Sequence, residues 1–136
     1  MLTESALVSI ATALQRYLAP LARDAGIRWS ALAVLRDLQL RGPLTQRQLA
    51  TLQAVRPATM SVLVRELRTQ ELVAETLDPK DARRRSLHIT SDGEQRLTAD
   101  YERLAVPLSE VIANLSPDER HALDSALPAL LRALEI

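Results

Sequence analysis

The sequence has no cysteine and no phenylalanine. Its 136 residues include one tryptophan, two tyrosines and three glycines. Without thiols there is no disulfide framework, thiolate metal site or thiol redox sensor. No glycine-rich loop could cradle a phosphate, and no nucleophile elbow is present. His88 and His121 stand alone in sequence, so no catalytic residue, metal site or cofactor is expected. No apolar run approaches the roughly 18–20 residues that span a bilayer, and no membrane partner is expected. The opening Met1-Leu-Thr-Glu-Ser5 lacks the basic region of a secretory signal, so a cytoplasmic location is expected.

Net charge is also missing, with 17 basic and 17 acidic side chains. The balance is uneven along the chain. Residues 28–90 carry eleven basic and six acidic groups, a net of +5, whereas residues 91–136 carry four and nine, a net of −5. A basic middle can attract phosphates despite the neutral total.

What is present is aliphatic. Hydrophobic residues make up 47% of the chain, mostly Leu and Ala, a composition that favours helices packed by aliphatic side chains. The length fits one domain. A first helix is predicted over about Thr3–Ala22, with Leu7, Ile10, Leu14, Tyr17 and Leu21 as its stripe. A second covers about Ser30–Leu40 and stops at Arg41-Gly-Pro43. A third starts at Thr45-Gln-Arg-Gln48, which has capping-box form, and ends near Leu52. The next covers Pro57–Thr69, with proline in its first turn. Two short helices joined by a turn of about three residues make a helix-turn-helix.

Two β-prone segments follow, Leu72–Leu77 and Ser86–Thr90, joined by a basic turn. The stretch Asp78-Pro-Lys-Asp-Ala-Arg-Arg-Arg-Ser-Leu-His-Ile-Thr90 holds four basic residues and two aspartates. Helices over about Gly93–Leu115 and from Ser116 onward complete the chain, with Pro107 and Pro128 expected to kink or break them. Their stripes are Leu97, Tyr101, Leu104, Leu108, Val111 and Leu115, then Leu123, Leu127, Leu130 and Leu134. These, like the first stripe, follow the spacing of helices packed lengthwise. Either they cover the chain's own core or a second copy buries them. A homodimer through Leu7, Ile10, Leu14, Leu108, Val111, Leu115, Leu123, Leu127, Leu130 and Leu134 is expected.

On a helical wheel, Met60, Leu63, Val64 and Leu67 share one face of Pro57–Thr69, the expected core face. Ala58, Ser61, Val62, Arg65 and Arg68 share the other, with Arg56 and Thr59 near its start. Small and polar side chains let a backbone approach base edges, and arginine can make a bidentate contact to guanine. A helix followed by an arginine-loaded hairpin is a shape that fills a major groove while its tip reaches a minor groove. Double-stranded DNA is therefore the expected partner, although each of these residues also fits an ordinary solvated face.

The runs Leu49-Ala50, Val55-Arg-Pro57-Ala-Thr59, Leu63-Val64 and Leu72-Val73, with Asp81-x-Arg83 and Ile89-Thr90-x-x-Gly93, resemble the winged helix-turn-helix regulators of the MarR (multiple antibiotic resistance regulator) family. The resemblance covers almost the whole chain. It implies a mainly α fold with a β-hairpin wing. The DNA-binding part would be about 28–92, flanked by dimerisation helices at about 3–22 and 93–136. It further implies a dimeric repressor of a pseudo-palindromic operator, released by a small aromatic or anionic effector. By position, Arg83 looks like the wing arginine that enters the minor groove and Asp81 like the carboxylate that orients it. Thr45, Arg56, Pro57, Ala58, Thr59, Ser61, Val62, Arg65, Arg68, Arg84 and Arg85 complete the expected DNA-binding set. Arg16, Tyr17 and Trp29 fall near the expected effector cleft and fit packing roles equally well. Three positions depart from the family pattern. Arg56 replaces a capping Ser or Thr, and Ala54 and Glu71 replace glycines, which suggests altered turns. A winged-helix module for protein–protein contact and a metal-responsive regulator stay open as alternatives.

Overall fold

The structure, a computed structural model, describes residues 2–78 and 80–135. Met1, Ile136 and Pro79, the last within the basic turn, lie outside the described residues. The element order is α1 (Thr3–Asp24), α2 (Trp29–Arg41), α3 (Gln46–Gln53), α4 (Pro57–Thr69), β1 (Val73–Asp78), β2 (Asp81–Ile89), α5 (Ser91–Ala113) and α6 (Pro117–Leu134). The result is a mainly helical chain with one antiparallel hairpin. Contacts divide it into two compact units, Met1–Glu102 and Arg103–Ile136. Among the described residues, no helix is long and apolar enough to cross a membrane.

The first unit holds the core. Leu32, Val34, Leu35 and Leu38 of α2 are buried, as are Leu49 and Ala50 of α3 and Met60, Leu63, Val64 and Leu67 of α4. Leu72, Val73, Leu87 and Leu97 close it from the hairpin and α5. Each such leucine contributes about 1.5–3 kcal/mol. Arg36 adds a polar tie, donating from Nη1 to the Tyr101 hydroxyl at 2.8 Å.

Local chemistry sets the element ends. The Thr45 hydroxyl accepts from the Gln48 N–H at 3.1 Å, and Gln48 Oε1 accepts from the Thr45 N–H at 2.8 Å. Ser116 and Glu119 form the same reciprocal cap at α6. The bonds from the Ser116 backbone N–H, then from its side chain, hold the Glu119 carboxyl below the usual glutamate range. That cap is thus complete above this range and is lost as pH falls through the lowered value.

Three expectations are corrected. The helices run unbroken through Pro107 and Pro128. A proline's φ is itself helical, and losing one N–H donor is tolerated in helices of 23 and 18 residues. The second strand starts at Asp81, not Ser86, so Arg83, Arg84 and Arg85 lie in β2 and not in the turn. Charged residues hid this strand because they show no apolar alternation, yet Asp81 and Arg85 pair with β1 while the arginine side chains stay in solvent. Finally, the turns at Ala54 and Glu71 keep the left-handed backbone of a glycine, with φ of 53° and 60°.

In the second unit α6 buries none of its residues. Leu127, Leu131 and Leu134 are exposed at 49%, 44% and 74%.

Two substitutions should move stability in opposite directions. At Gly93 an added Cβ would lie 2.2 Å from the Leu72 carbonyl oxygen and 2.7 Å from Ile89 Cγ1. Gly93→Ala should cost about 1–3 kcal/mol through overpacking. Glu71→Gly relieves about 1–2 kcal/mol of left-handed strain and returns about 0.4–1 through the looser unfolded chain. A net gain of about 0.5–1 kcal/mol is expected. Urea unfolding of both variants checks the signs; a stabilised Gly93→Ala would contradict the packing described at Leu72.

Candidate nucleic-acid interface

The turn between α3 and α4 is short and tightly specified. Val55 donates its N–H to the Ala50 carbonyl at 3.0 Å across the left-handed Ala54. Arg56 then occupies the N-cap of α4 in extended geometry, and Pro57 follows in the first turn. No side chain caps α4, so the arginine is held by backbone geometry and its side chain is exposed. The expected core face of α4 is buried. Of the opposite face, Ala58, Thr59, Val62, Arg65 and Arg68 are exposed and Ser61 is half-buried. These residues come together on one surface of α4. Thr45 stands apart at the start of α3, its hydroxyl engaged in the cap.

The wing is a two-stranded ribbon in the register Val73↔Ile89, Glu75↔Leu87 and Leu77↔Arg85, shifting to Asp78↔Asp81. The shift leaves residues 82–84 without opposite partners, a bulge that loosens the end of the ribbon. Leu44 extends the sheet: its N–H donates to the Leu87 carbonyl at 3.0 Å and its carbonyl accepts from the Leu87 N–H at 2.7 Å. The Asp81 Oδ1 accepts from the backbone N–H of Arg83 at 3.0 Å. The carboxylate thus holds the Arg83 main chain, not its guanidinium. The Arg83, Arg84 and Arg85 side chains are all exposed.

Sequence reasoning missed Glu75. Its Oε1 accepts from Arg68 Nη1 at 3.2 Å and its Oε2 from Arg85 Nη1 at 3.1 Å. One carboxylate of β1 thus ties the last turn of α4 to β2. The two arginines lie seven and ten positions from Glu75 on different elements, and the strand register brings all three together. Arg28, which precedes α2, pairs with Glu66 of α4, a second link that spacing alone could not announce. Gln53 Nε2 donates to Asp37 Oδ2 at 2.5 Å, fixing the end of α3 against α2.

The other expected site residues are placed as follows. Arg16 and Tyr17 are exposed on α1, and Trp29 is exposed at the start of α2. His88 shares a 2.6 Å hydrogen bond with the Thr76 hydroxyl, and His121 is exposed on α6. Of the residues assigned to a dimer contact, Leu7, Ile10, Leu14, Val111, Leu127 and Leu134 are exposed. Leu108, Leu115, Leu123 and Leu130 are half-buried.

Residues 25–84, which include the helix-turn-helix and most of the wing, match the MarR family. This segment is similar to MarR-family proteins. Similar proteins include YwaE of Bacillus subtilis, an uncharacterized HTH-type transcriptional regulator, 29% identical over 101 residues. That match takes in 74% of this chain and 59% of YwaE, so the chain spans less than two thirds of that relative's length. Among solved structures, the transcriptional regulator Tm0710 of Thermotoga maritima is 25% identical with a TM-score of 0.74, covering 97% of this chain and 93% of that one. A MepR variant of S. aureus bound to an oligodeoxyribonucleotide is 22% identical with a TM-score of 0.66, covering 98% and 99%. At that identity the likeness speaks for the fold. MarR-type winged helix architecture thus extends over nearly the entire chain, beyond the segment matched by sequence.

The Glu75 bridge has a direct check. Its partners are partly exposed, so Glu75→Gln should lower unfolding stability by no more than about 1 kcal/mol. The Nε–H resonances of Arg68 and Arg85 should shift together in the variant. Movement of only one of them would contradict the shared bridge.

Proposed function

We propose that this chain is a DNA-binding transcriptional regulator of the MarR type, a cytoplasmic homodimer that represses from a pseudo-palindromic operator and is released by a small aromatic or anionic effector. The observation that carries the reading is the exposed, arginine-bearing face of α4 set beside a wing whose Arg83 backbone is pinned by Asp81. The names of the similar proteins support it, and so does the fold shared with a structure bound to an oligodeoxyribonucleotide.

In this reading the part that contacts DNA is about residues 28–92. Ser61 and Arg65 read base edges, while Pro57, Ala58, Thr59 and Val62 allow close approach. Arg56, Arg68, Arg84, Arg85 and Thr45 hold phosphates, which position the protein and carry no sequence information. Arg83 enters the minor groove, where a narrow A·T tract concentrates negative potential. A second copy covers the exposed stripes of α1, α5 and α6. Two-fold symmetry then sets two α4 helices at half-sites about 10 base pairs apart, centre to centre. Arg16, Tyr17 and Trp29 receive the effector.

The wing supplies the test, on an operator selected from a random DNA pool. Arg83→Ala should weaken binding by about 1–3 kcal/mol. Asp81→Ala should weaken it too, because the Arg83 backbone loses its anchor. A simple count of charge predicts the opposite sign for Asp81, so tighter binding by Asp81→Ala would overturn the orienting role.

Assembly has its own check. Leu14 and Leu127 lie exposed on the single chain, so Leu14→Asp or Leu127→Asp should leave the fold intact and dissociate the dimer. Sedimentation of the wild type should give twice the 15.1 kDa chain mass. A monomer at micromolar concentration would sink both the dimer and the half-site spacing.

A further inference from the structure

A groove of about 690 Å3 opens between the end of α2, the outer side of α3 and β2. Its walls include Leu44 and Leu52, and Arg41, Arg47 and Arg84 also line it. The third arginine comes from the bulged end of the wing: Arg85 pairs with Glu75, whereas its neighbour Arg84 lines this groove. None of Arg16, Tyr17 and Trp29 lines it.

Two features distinguish the groove from a phosphate-holding face. First, its cations are poorly neutralised. No aspartate or glutamate among the described residues lines it. Among the described residues, no carboxylate pairs with Arg47 or Arg84. Arg41 reaches Asp37 only at 3.8 Å, and that carboxylate already accepts from Gln53. Second, the wall is apolar and pre-formed. Leu44 is fixed by two backbone bonds to Leu87, and Thr45 beside it by the capping box. Leu52 stays 41% exposed although it belongs to the helix-turn-helix. A bare phosphate has no use for a leucine wall, and a neutral apolar molecule has none for three guanidiniums. A molecule with a carboxylate and a hydrocarbon body uses both, and the volume falls in the usual range of small-ligand sites.

We propose that this groove between α2, α3 and the wing is a binding site for a small hydrophobic carboxylate. The carboxylate is held by Arg47 and Arg84, with Arg41 at the rim, and the hydrocarbon body lies on Leu44 and Leu52. Thr45 and Arg84 also belong to the proposed DNA-contacting set, so occupancy neutralises part of that face. This second consequence rests on the DNA-binding reading; the binding itself does not.

The probe is octanoate, with octanol and inorganic phosphate as controls, followed by amide shifts in the full chain without DNA. Octanoate should saturate shifts at Gln48, Thr51, Leu52 and Arg84. Each control lacks half of the recognition and should bind at least about tenfold more weakly. Leu52→Ser and Arg47→Ala are surface changes that should leave the fold and DNA binding unaltered and weaken octanoate by about tenfold each. Octanoate should lower the DNA affinity of the wild type and leave that of Leu52→Ser unchanged. Phosphate binding as well as octanoate, shifts centred on Tyr17 and Trp29, or no saturation by octanoate would each overturn the site. DNA binding by the wild type without octanoate tests the other reading separately.

Discussion

The junction at the root of the hairpin fixes the placement of the candidate interface. Four hydrogen bonds meet there. Leu72 donates to the Leu67 carbonyl at 2.9 Å, ending α4, and Thr90 donates its N–H to the Leu72 carbonyl at 3.1 Å. The Thr90 hydroxyl donates to the Glu71 carbonyl at 2.7 Å and accepts from the Gly93 N–H at 3.0 Å, starting α5. Gly93 is needed because α5 passes too close to Leu72 for a Cβ. With the root closed in this way, Val73 must face Ile89, and the register of the strands follows. A slip of one residue would turn every side chain to the other face. Arg85 would lose Glu75, and the wing would lose its tie to α4.

The register also separates three consecutive arginines into three surroundings. Arg83 has its backbone held by Asp81, Arg84 lines the groove beside α3, and Arg85 is paired with Glu75. Each environment changes what a guanidinium can do, although the sequence presents three identical letters. The surplus of positive charge in residues 28–90 is thereby distributed over α4, the wing and the outer side of α3, and not gathered at one tip.

Much of this was readable in the sequence, wherever the signal was local. Thr45-x-x-Gln48 and Ser116-x-x-Glu119 state their caps outright, and both form. The bounds of α4 and its buried face followed from Pro57 and the spacing of Met60, Leu63, Val64 and Leu67. Ile89-Thr90-x-x-Gly93 pointed to the start of α5. The failures share a cause in tertiary structure. The basic strand was missed because its stability comes from pairing with β1 and not from its own residues. Ala54 and Glu71 hold a glycine-like backbone because the bonds around them, Val55 to Ala50 and Leu72 to Leu67, over-determine the turn. Glu75 had no local signature at all, since its partners arrive from α4 and β2. The prolines misled in the other direction, because long helices can spare one donor.

The central claim is that the wing and α4 form an electrostatic surface for the DNA backbone. Affinity for a random-sequence duplex measured against salt concentration tests it most directly. Each neutralised phosphate contributes about −0.9 to the slope of log K against log salt. With Arg56, Arg68, Arg84 and Arg85 on phosphates, the slope should be about −3.5 or steeper for one chain's contacts. Binding that ignores salt, or no binding to duplex DNA at low salt, would contradict the account and leave the winged helix as a surface for protein partners.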